Sequence, residues 1–549
     1  MVRLSPRRRA ARRSFGAALT GAILLALAVV VTAGPAFAAP SDTKVMTASG
    51  QTANGSFYQF MVPDDWQPAD GLVIWNHGYS LDPIGPDPDL GPLVDVQLAQ
   101  GYAVAASSYS QIGWAVFNTV TDLEEMVRIF EQDYGVPERV LIYGASLGGL
   151  VTVQAIEQAD LGNVVGAMPI CGALAGSRIW DAGIDLRLLY DLVCDGVPGG
   201  EIPGGATGLP FPPDPTFDGT ALGEALFVCL GIGLEPADRS AAQQGRLDEL
   251  LAVAGIPENF VDTDMGFATF GTFDLIFSPD KLAGAQGLDN FNTDYGVLDV
   301  NVEIPRVMAD PAARERLLDN YTPSGKVGDV KIVSLHTDKD GLVLLENETD
   351  YASKVPAGNF SLGIVVEDVP SHCEFTPAEL AGGWESLRGW VAGAPQPSPA
   401  VLQSTCEEIE GTGLAAGPCR IDPNATLPDV ATRIRPRDTC FQDANTLCLR
   451  DDRFRVQVSW EDFEGNTGPG IVTPQTNDTG SFWFFSPENL ELMVKVLDGR
   501  QLTESFWVFY GSLTNVEFEM TVTDTVTLRS KTYENPLGSF ASVGDTEGL

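Results

Sequence analysis

Apolar residues fall into three regimes along the 549-residue chain. From about residue 44 to 170, short aliphatic runs alternate with stretches of helical spacing. Residues 44–62 alternate apolar and polar around Asn54-Gly55, which predicts two opening strands joined by a tight turn. Leu72-Val73-Ile74-Trp75 is a continuous apolar run suited to a strand buried on both faces. A Pro- and Asp-rich loop over 82–92 leads to a helix over 93–100 and a strand over 102–107. Leu123, Met126, Val127 and Phe130 recur at helical spacing and predict a helix over 119–133. A strand at 139–143, a helix at 147–159 and a strand at 163–169 complete the series. This alternation predicts the α/β class, a mostly parallel sheet covered by helices on both faces.

The second regime runs from about residue 171 to 326 and is rich in Gly, Pro and Asp, with short helical pieces at 242–254 and 311–320. It is too long for an ordinary connection, so residues 173–326 read as an inserted lid. The alternation resumes with strands at 330–335 and 361–366 and a closing helix at 377–392. These bounds make 39–392 one domain. Gly393-Ala394-Pro395-Gln396-Pro397-Ser398-Pro399 starts a linker, and 393–430 reads as a linker with a cysteine-containing segment. In the third regime Phe454, Val456, Val458 and Trp460 alternate with polar residues, and similar runs recur over 490–497, 505–510, 516–522 and 526–533. They predict a separate all-β, sandwich-like domain over 431–549. Core packing is the expected role of its aromatics, with binding of a polymer or surface as the alternative.

The N-terminus adds an address. Arg3, Arg7, Arg8, Arg9, Arg12 and Arg13 precede an apolar run over 15–31, and small residues at Ala36 and Ala38 follow. This is the pattern of a signal peptide over 1–38, cleaved between Ala38 and Ala39, so the expected location is extracellular. No later stretch is apolar enough to span a bilayer. The whole sequence carries a net charge of −41, and cleavage removes six arginines and no acid. So acidic a surface repels nucleic acid and anionic lipid. Eight cysteines in an exported chain predict disulfides. Nearness in sequence suggests Cys406 with Cys419, Cys440 with Cys448, and Cys194 with Cys229 inside the insertion. Cys171 and Cys373 remain, with Cys171–Cys194 as a rival pairing. No spacing resembles a zinc site, and the chemistry below needs no cofactor.

Three histidines in the whole chain narrow that chemistry. Val140-Leu141-Ile142-Tyr143 runs into Gly144-Ala145-Ser146-Leu147-Gly148-Gly149 and then into a helical pattern. A Gly-x-Ser-x-Gly turn between strand and helix presents a serine oxygen at the top of a sheet. Ser146 is therefore the candidate nucleophile, and it needs a base. His372, in Ser371-His372-Cys373-Glu374, is the favoured base; Asp340 is the acid that would orient it, with Asp338 as runner-up. The chain order Ser, Asp, His, each after a strand, is that of an α/β-hydrolase. The Leu147 amide would be one oxyanion donor, and Gly78 or Tyr79, after the first parallel strand, the second. His77 reads as loop architecture, His336 as a structural residue at a strand end, and Glu374 as a solvated helix-cap residue.

Tyr143-Gly144-Ala145-Ser146-Leu147-Gly148-Gly149, Asn76-His77-Gly78, His336-Thr337 leading to Asp340, and Ser371-His372-Cys373 together resemble secreted bacterial α/β-hydrolases of the esterase and prolyl-oligopeptidase-like group. The resemblance covers residues 70–170 and 325–392. It implies an α/β-hydrolase sheet and Ser146, Asp340 and His372 as nucleophile, acid and base. Cys373 also matches the cysteine that feruloyl esterases and tannases place after the histidine, but Ala145 stands where they place one before the serine. The expected function is hydrolysis of small or polymeric carboxylic esters through an acyl-serine. Peptide hydrolysis and a non-catalytic surface-binding protein are the alternatives.

Overall fold

A computed structural model describes residues 44–549 apart from 82, 205–216, 291–292, 294, 308, 320, 413–414, 429–439, 441, 443, 451–452, 504 and 526–528. The proposed signal peptide lies outside the described residues. The first domain is built on eight strands: β1 (Val45–Gln51), β2 (Phe57–Pro63), β3 (Leu72–Asn76), β4 (Ala103–Ser107), β5 (Val140–Ala145), β6 (Val164–Ile170), β7 (Lys331–Thr337) and β8 (Phe360–Val365). Their spatial order is β1-β2-β4-β3-β5-β6-β7-β8. β1, β2 and β4 pair antiparallel, and the sheet is parallel from β4 to β8. The fold is α/β-hydrolase-like.

Strand alternation sorts side chains to two cores. Leu72 and Ile74 of β3, with Val140 and Ile142 of β5, face one side; Val73 and Trp75, with Leu141 and Tyr143, face the other. Helices Thr119–Tyr134 and Leu147–Gln158 cover the first face, and helix Pro377–Val391 covers the second. Thr376 caps that last helix in a reciprocal box with Glu379, so the cap is Thr376 and not Glu374. The Glu374 carbonyl instead accepts from the Arg420 guanidinium at 2.7 Å.

The insertion is mainly helical, including Arg178–Val193, Gly219–Leu230, Ala241–Ala254, Val261–Gly266 and Thr272–Phe277. Ile184, Leu226, Leu250, Met265 and Leu275 extend the first core, so the insertion is a packed cap. Buried Arg178 pairs with Asp350 at 2.6 Å, and Lys354 meets the same carboxylate at 2.7 Å, joining the cap's first helix to the segment after β7. Arg314 and buried Asp181 join the two ends of the cap at 2.8 Å.

The stretch 393–430 departs from its reading as a linker. Helix Pro399–Thr412 buries Leu402 and Cys406 against the second core, and Ile421 bridges Val365 at the end of β8. Gly382 permits the approach, since a Cβ there would collide with Cys406. The apolar stripe of this helix outweighs the surrounding breakers, and the segment becomes part of the first domain.

The second domain is a sandwich-like pair of antiparallel sheets. In one, β10 (Phe454–Glu461) pairs with β9 (Thr446–Leu449), β11 (Thr467–Pro469) and β16 (Glu517–Asp524), and β17 (Ser530–Asn535) flanks β16. In the other, β12 (Ile471–Thr476), β13 (Thr479–Trp483), β14 (Leu492–Asp498), β15 (Phe506–Ser512) and β18 (Ser542–Asp545) lie in that order. Val456, Val458, Phe482, Val494, Val508 and Met520 form a core of their own between them.

Candidate active site

Ser146 stands between β5 and helix Leu147–Gln158 with φ 58° and ψ −122°, a strained conformation for a residue with a side chain. Close packing holds it there. A Cβ on Gly144 would strike the Gly148 carbonyl, one on Gly148 the Asn76 carbonyl, and one on Gly149 the Gly172 backbone. The turn is thus pressed against the ends of β3 and β6, and glycine is required for contact as well as for bending. Asn76 Nδ2 donates to Thr152 Oγ1 at 3.0 Å, and Thr152 donates to the Gly148 carbonyl at 2.8 Å, clamping the end of β3 to the new helix.

Ser146 Oγ lies 2.9 Å from His372 Nε2, and His372 Nδ1 lies 2.8 and 2.9 Å from the two Asp340 oxygens. Asp340 is buried, and its Oδ1 also accepts from the Leu342 and Val343 amides at 3.0 and 2.8 Å. That tight return after β7 aims the carboxylate at the imidazole. Asp338 turns elsewhere and accepts from the Glu367 amide at 2.8 Å. Nucleophile, base and acid candidates therefore meet from three loops at the carboxyl ends of parallel strands, the edge where open α/β sheets hold their ligands.

Leu147 opens the helix after Ser146, and Gly78 and Tyr79 follow β3. Their loop is buttressed by His77, whose ring stacks on Tyr109 with centroids 4.0 Å apart while its carbonyl accepts from the Tyr109 hydroxyl at 3.1 Å. Burial holds the His77 pKa below the ordinary imidazole value. This histidine shapes the loop.

His336, at the end of β7, is fully buried. Its Nδ1 is 3.0 Å from Glu348 and its Nε2 2.7 Å from the Val343 carbonyl, so both ring nitrogens face acceptors. Burial lowers its pKa, but the hydrogen bond and charge of Glu348, with Asp340 beyond, outweigh burial and raise it. Its Nε2 also lies 3.8 Å from Asp340 Oδ2. Glu348 was missed by sequence reasoning. An acid on a short helix after the acid loop gives no sign of reaching back to the strand.

Four disulfides join Cys171–Cys373, Cys194–Cys229, Cys406–Cys419 and Cys440–Cys448. The first ties the residue after β6 to the residue after His372. Its sulfurs and a His372 nitrogen lie within 4.8 Å of one another, but sulfurs bonded to each other offer no thiolate to a metal.

The cap roofs this site. The Phe260 ring packs on Gly341, where a Cβ would collide with it, and Asn259 Nδ2 donates to the Pro370 carbonyl at 3.0 Å. The Phe267 ring meets Tyr79 edge-on at 5.0 Å. Nothing in the Gly- and Pro-rich insertion marked these residues individually. Their only signal is the spacing of Phe260, Asp264 and Phe267, which lie on one helical face.

No family model matches the chain. An o-phthalyl amidase of Xanthobacter agilis is 29% identical over 112 residues, 20% of this chain and 23% of the amidase, so the chain spans about a quarter of the curated relative it matches. Among solved structures, an esterase of Pyrococcus furiosus aligns with TM-score 0.31 and 13% identity over 65% of this chain and 92% of its own. The rice cell wall degrading esterase LipA of Xanthomonas oryzae aligns with TM-score 0.31 and 15% identity over 60% of this chain and 86% of its own. The fold assignment rests on strand order and direction.

Proposed function

We propose that this chain is a secreted serine hydrolase that cleaves carboxylic esters through an acyl-serine intermediate. The observation that carries this reading is the hydrogen-bond relay from Ser146 Oγ through His372 to Asp340. Ser146 Oγ attacks the acyl carbon as its proton passes to His372 Nε2. The oxyanion is met by the amide of Leu147 and by that of Gly78 or Tyr79, beside the positive end of a helix. The imidazolium returns the proton to the leaving oxygen, and the acyl group stays on Ser146. Water, deprotonated by the same nitrogen, then frees the acid. Asp340 holds Nδ1–H and balances the charge on the ring. Secretion is supported by the leader pattern and by four disulfides, which persist in oxidising compartments. The C-terminal sandwich is assigned to polymer or surface attachment, with Phe463, Phe485 and Phe540 left exposed for contact.

Amide hydrolysis is the second reading, favoured by the local similarity to an amidase. A fluorophosphonate probe should label Ser146, and Ser146→Ala should abolish both labelling and turnover of nitrophenyl esters. Turnover unchanged by that substitution would remove the proposed nucleophile. Matched esters, anilides and proline peptides then separate the two readings by relative kcat/KM.

A further inference from the structure

The roof of the site holds a carboxylate that the relay does not use. Asp264 lies on helix Val261–Gly266, four residues after Phe260 and three before Phe267. These are neighbours on one helical face. Phe260 rests on Gly341, beside Asp340, and Phe267 rests on Tyr79 of the proposed oxyanion loop. The two rings therefore bracket Asp264 above the loops that carry Asp340 and Tyr79. Val261 and Ala268, three before and four after Asp264, flank it on the core side and, with Met265, are fully buried.

Asp264 is 9% exposed, and its Oδ2 has no hydrogen-bond partner among the described residues. A buried acceptor left unmade is costly, and a buried carboxylate without a counter-charge costs more. Burial first, and then the negative charges of Asp340 and Asp262, hold its pKa well above the usual carboxylate range. Glu367, which accepts from the Ser371 hydroxyl in the loop that carries His372, adds another buried acid that feels the charge of Asp340. The two histidines of the centre are both committed, His372 between Ser146 and Asp340 and His336 between Glu348 and the Val343 carbonyl. A core packing role would be served better by an apolar residue between Phe260 and Phe267. Among the described residues, the charges that act on Asp264 include no positive one.

We propose that Asp264 is a specificity-determining residue that pairs with a cationic group, an ammonium or quaternary ammonium, on the ester presented to Ser146. The proposal rests on the hydrolase reading above. A substrate cation would favour the ionised form of Asp264 that burial and the charge of Asp340 disfavour, so that pairing releases the carboxyl proton to solvent. A charge-assisted contact in a site screened from water favours the charged substrate by roughly ten- to a hundred-fold.

The test compares isosteric esters that differ in one charge. Acetylcholine against 3,3-dimethylbutyl acetate probes the alcohol side, and the methyl esters of Nα-acetyl-lysine and Nα-acetyl-norleucine probe the acyl side. The full-length protein should prefer the cationic member of at least one pair by about ten-fold or more in kcat/KM. Asp264→Asn should bring that ratio close to one, chiefly through KM, while Asp264→Glu should keep a preference for the cation. Where Asp264→Asn does not fold, Asp264→Ser gives the same reading. Wild-type enzyme that is labelled by the fluorophosphonate probe and turns over both members equally overturns the proposal and leaves the hydrolase reading standing. A cation preference that survives loss of the carboxylate also overturns it. Failure of labelling and of turnover on every ester strikes the hydrolase reading itself.

Discussion

Asp340 and Asp338 stand two residues apart on one loop and do different work. Asp340 meets both His372 Nδ1 and two backbone amides, which fixes the carboxylate and, through it, the imidazole tautomer. Asp338 spends an oxygen on the Glu367 amide and so holds the loop that leads towards His372. Asp340→Asn should therefore lower kcat by about 10⁴-fold with KM little changed, because the wrong tautomer faces Ser146. Asp338→Asn keeps an oxygen for the same amide and should lose less than about ten-fold. Steady-state kinetics on one ester checks both, and equal losses would place the orienting charge elsewhere.

Elements bring these residues within reach. The Gly144-to-Gly149 turn wedges between β3 and β6 because no side chain intrudes, and the Asn76–Thr152–Gly148 hydrogen bonds lock it there. The His372 loop has a covalent anchor. Cys171–Cys373 closes a separation of 202 residues and fastens the proposed base to the strand beside the proposed nucleophile. Replacing both cysteines by serine should cost about 2–5 kcal/mol of stability. It should also lower kcat by about ten- to a hundred-fold in protein that is still folded, since a small displacement of the base spoils the line to Ser146. Removing Cys440–Cys448, which lies in the second domain, should leave kcat unaltered. Circular dichroism melts and kinetics on the same samples separate the two effects.

At the scale of the molecule, two bodies of different construction share one chain. The sheet and cap of the first domain are covered by two cores that run over both faces, and the sandwich encloses a third that shares no residue with them. Separate cores unfold as separate cooperative units. Scanning calorimetry should resolve two transitions, and a fluorophosphonate adduct on Ser146 should move only the one belonging to the first domain. Merged transitions that shift together would instead point to one unit.

The pattern of apolar positions determined the class of each half: buried runs alternating with helical spacing for the sheet, strict alternation for the sandwich. Periodicity is local, so it survives in the sequence. The Gly-x-Ser-x-Gly turn was legible for the same reason, since strand, turn and helix are contiguous. Other features were invisible because they depend on residues that are remote along the chain. Helix Pro399–Thr412 joins the first domain through its contact with Gly382, although its flanks read as a linker. Glu348 reaches back to His336, and Phe260 comes down on Gly341 from the middle of a segment that reads as irregular. Sequence alone fixed which side chains had the chemistry to act. Tertiary packing decided which of them share a space and what stands over them.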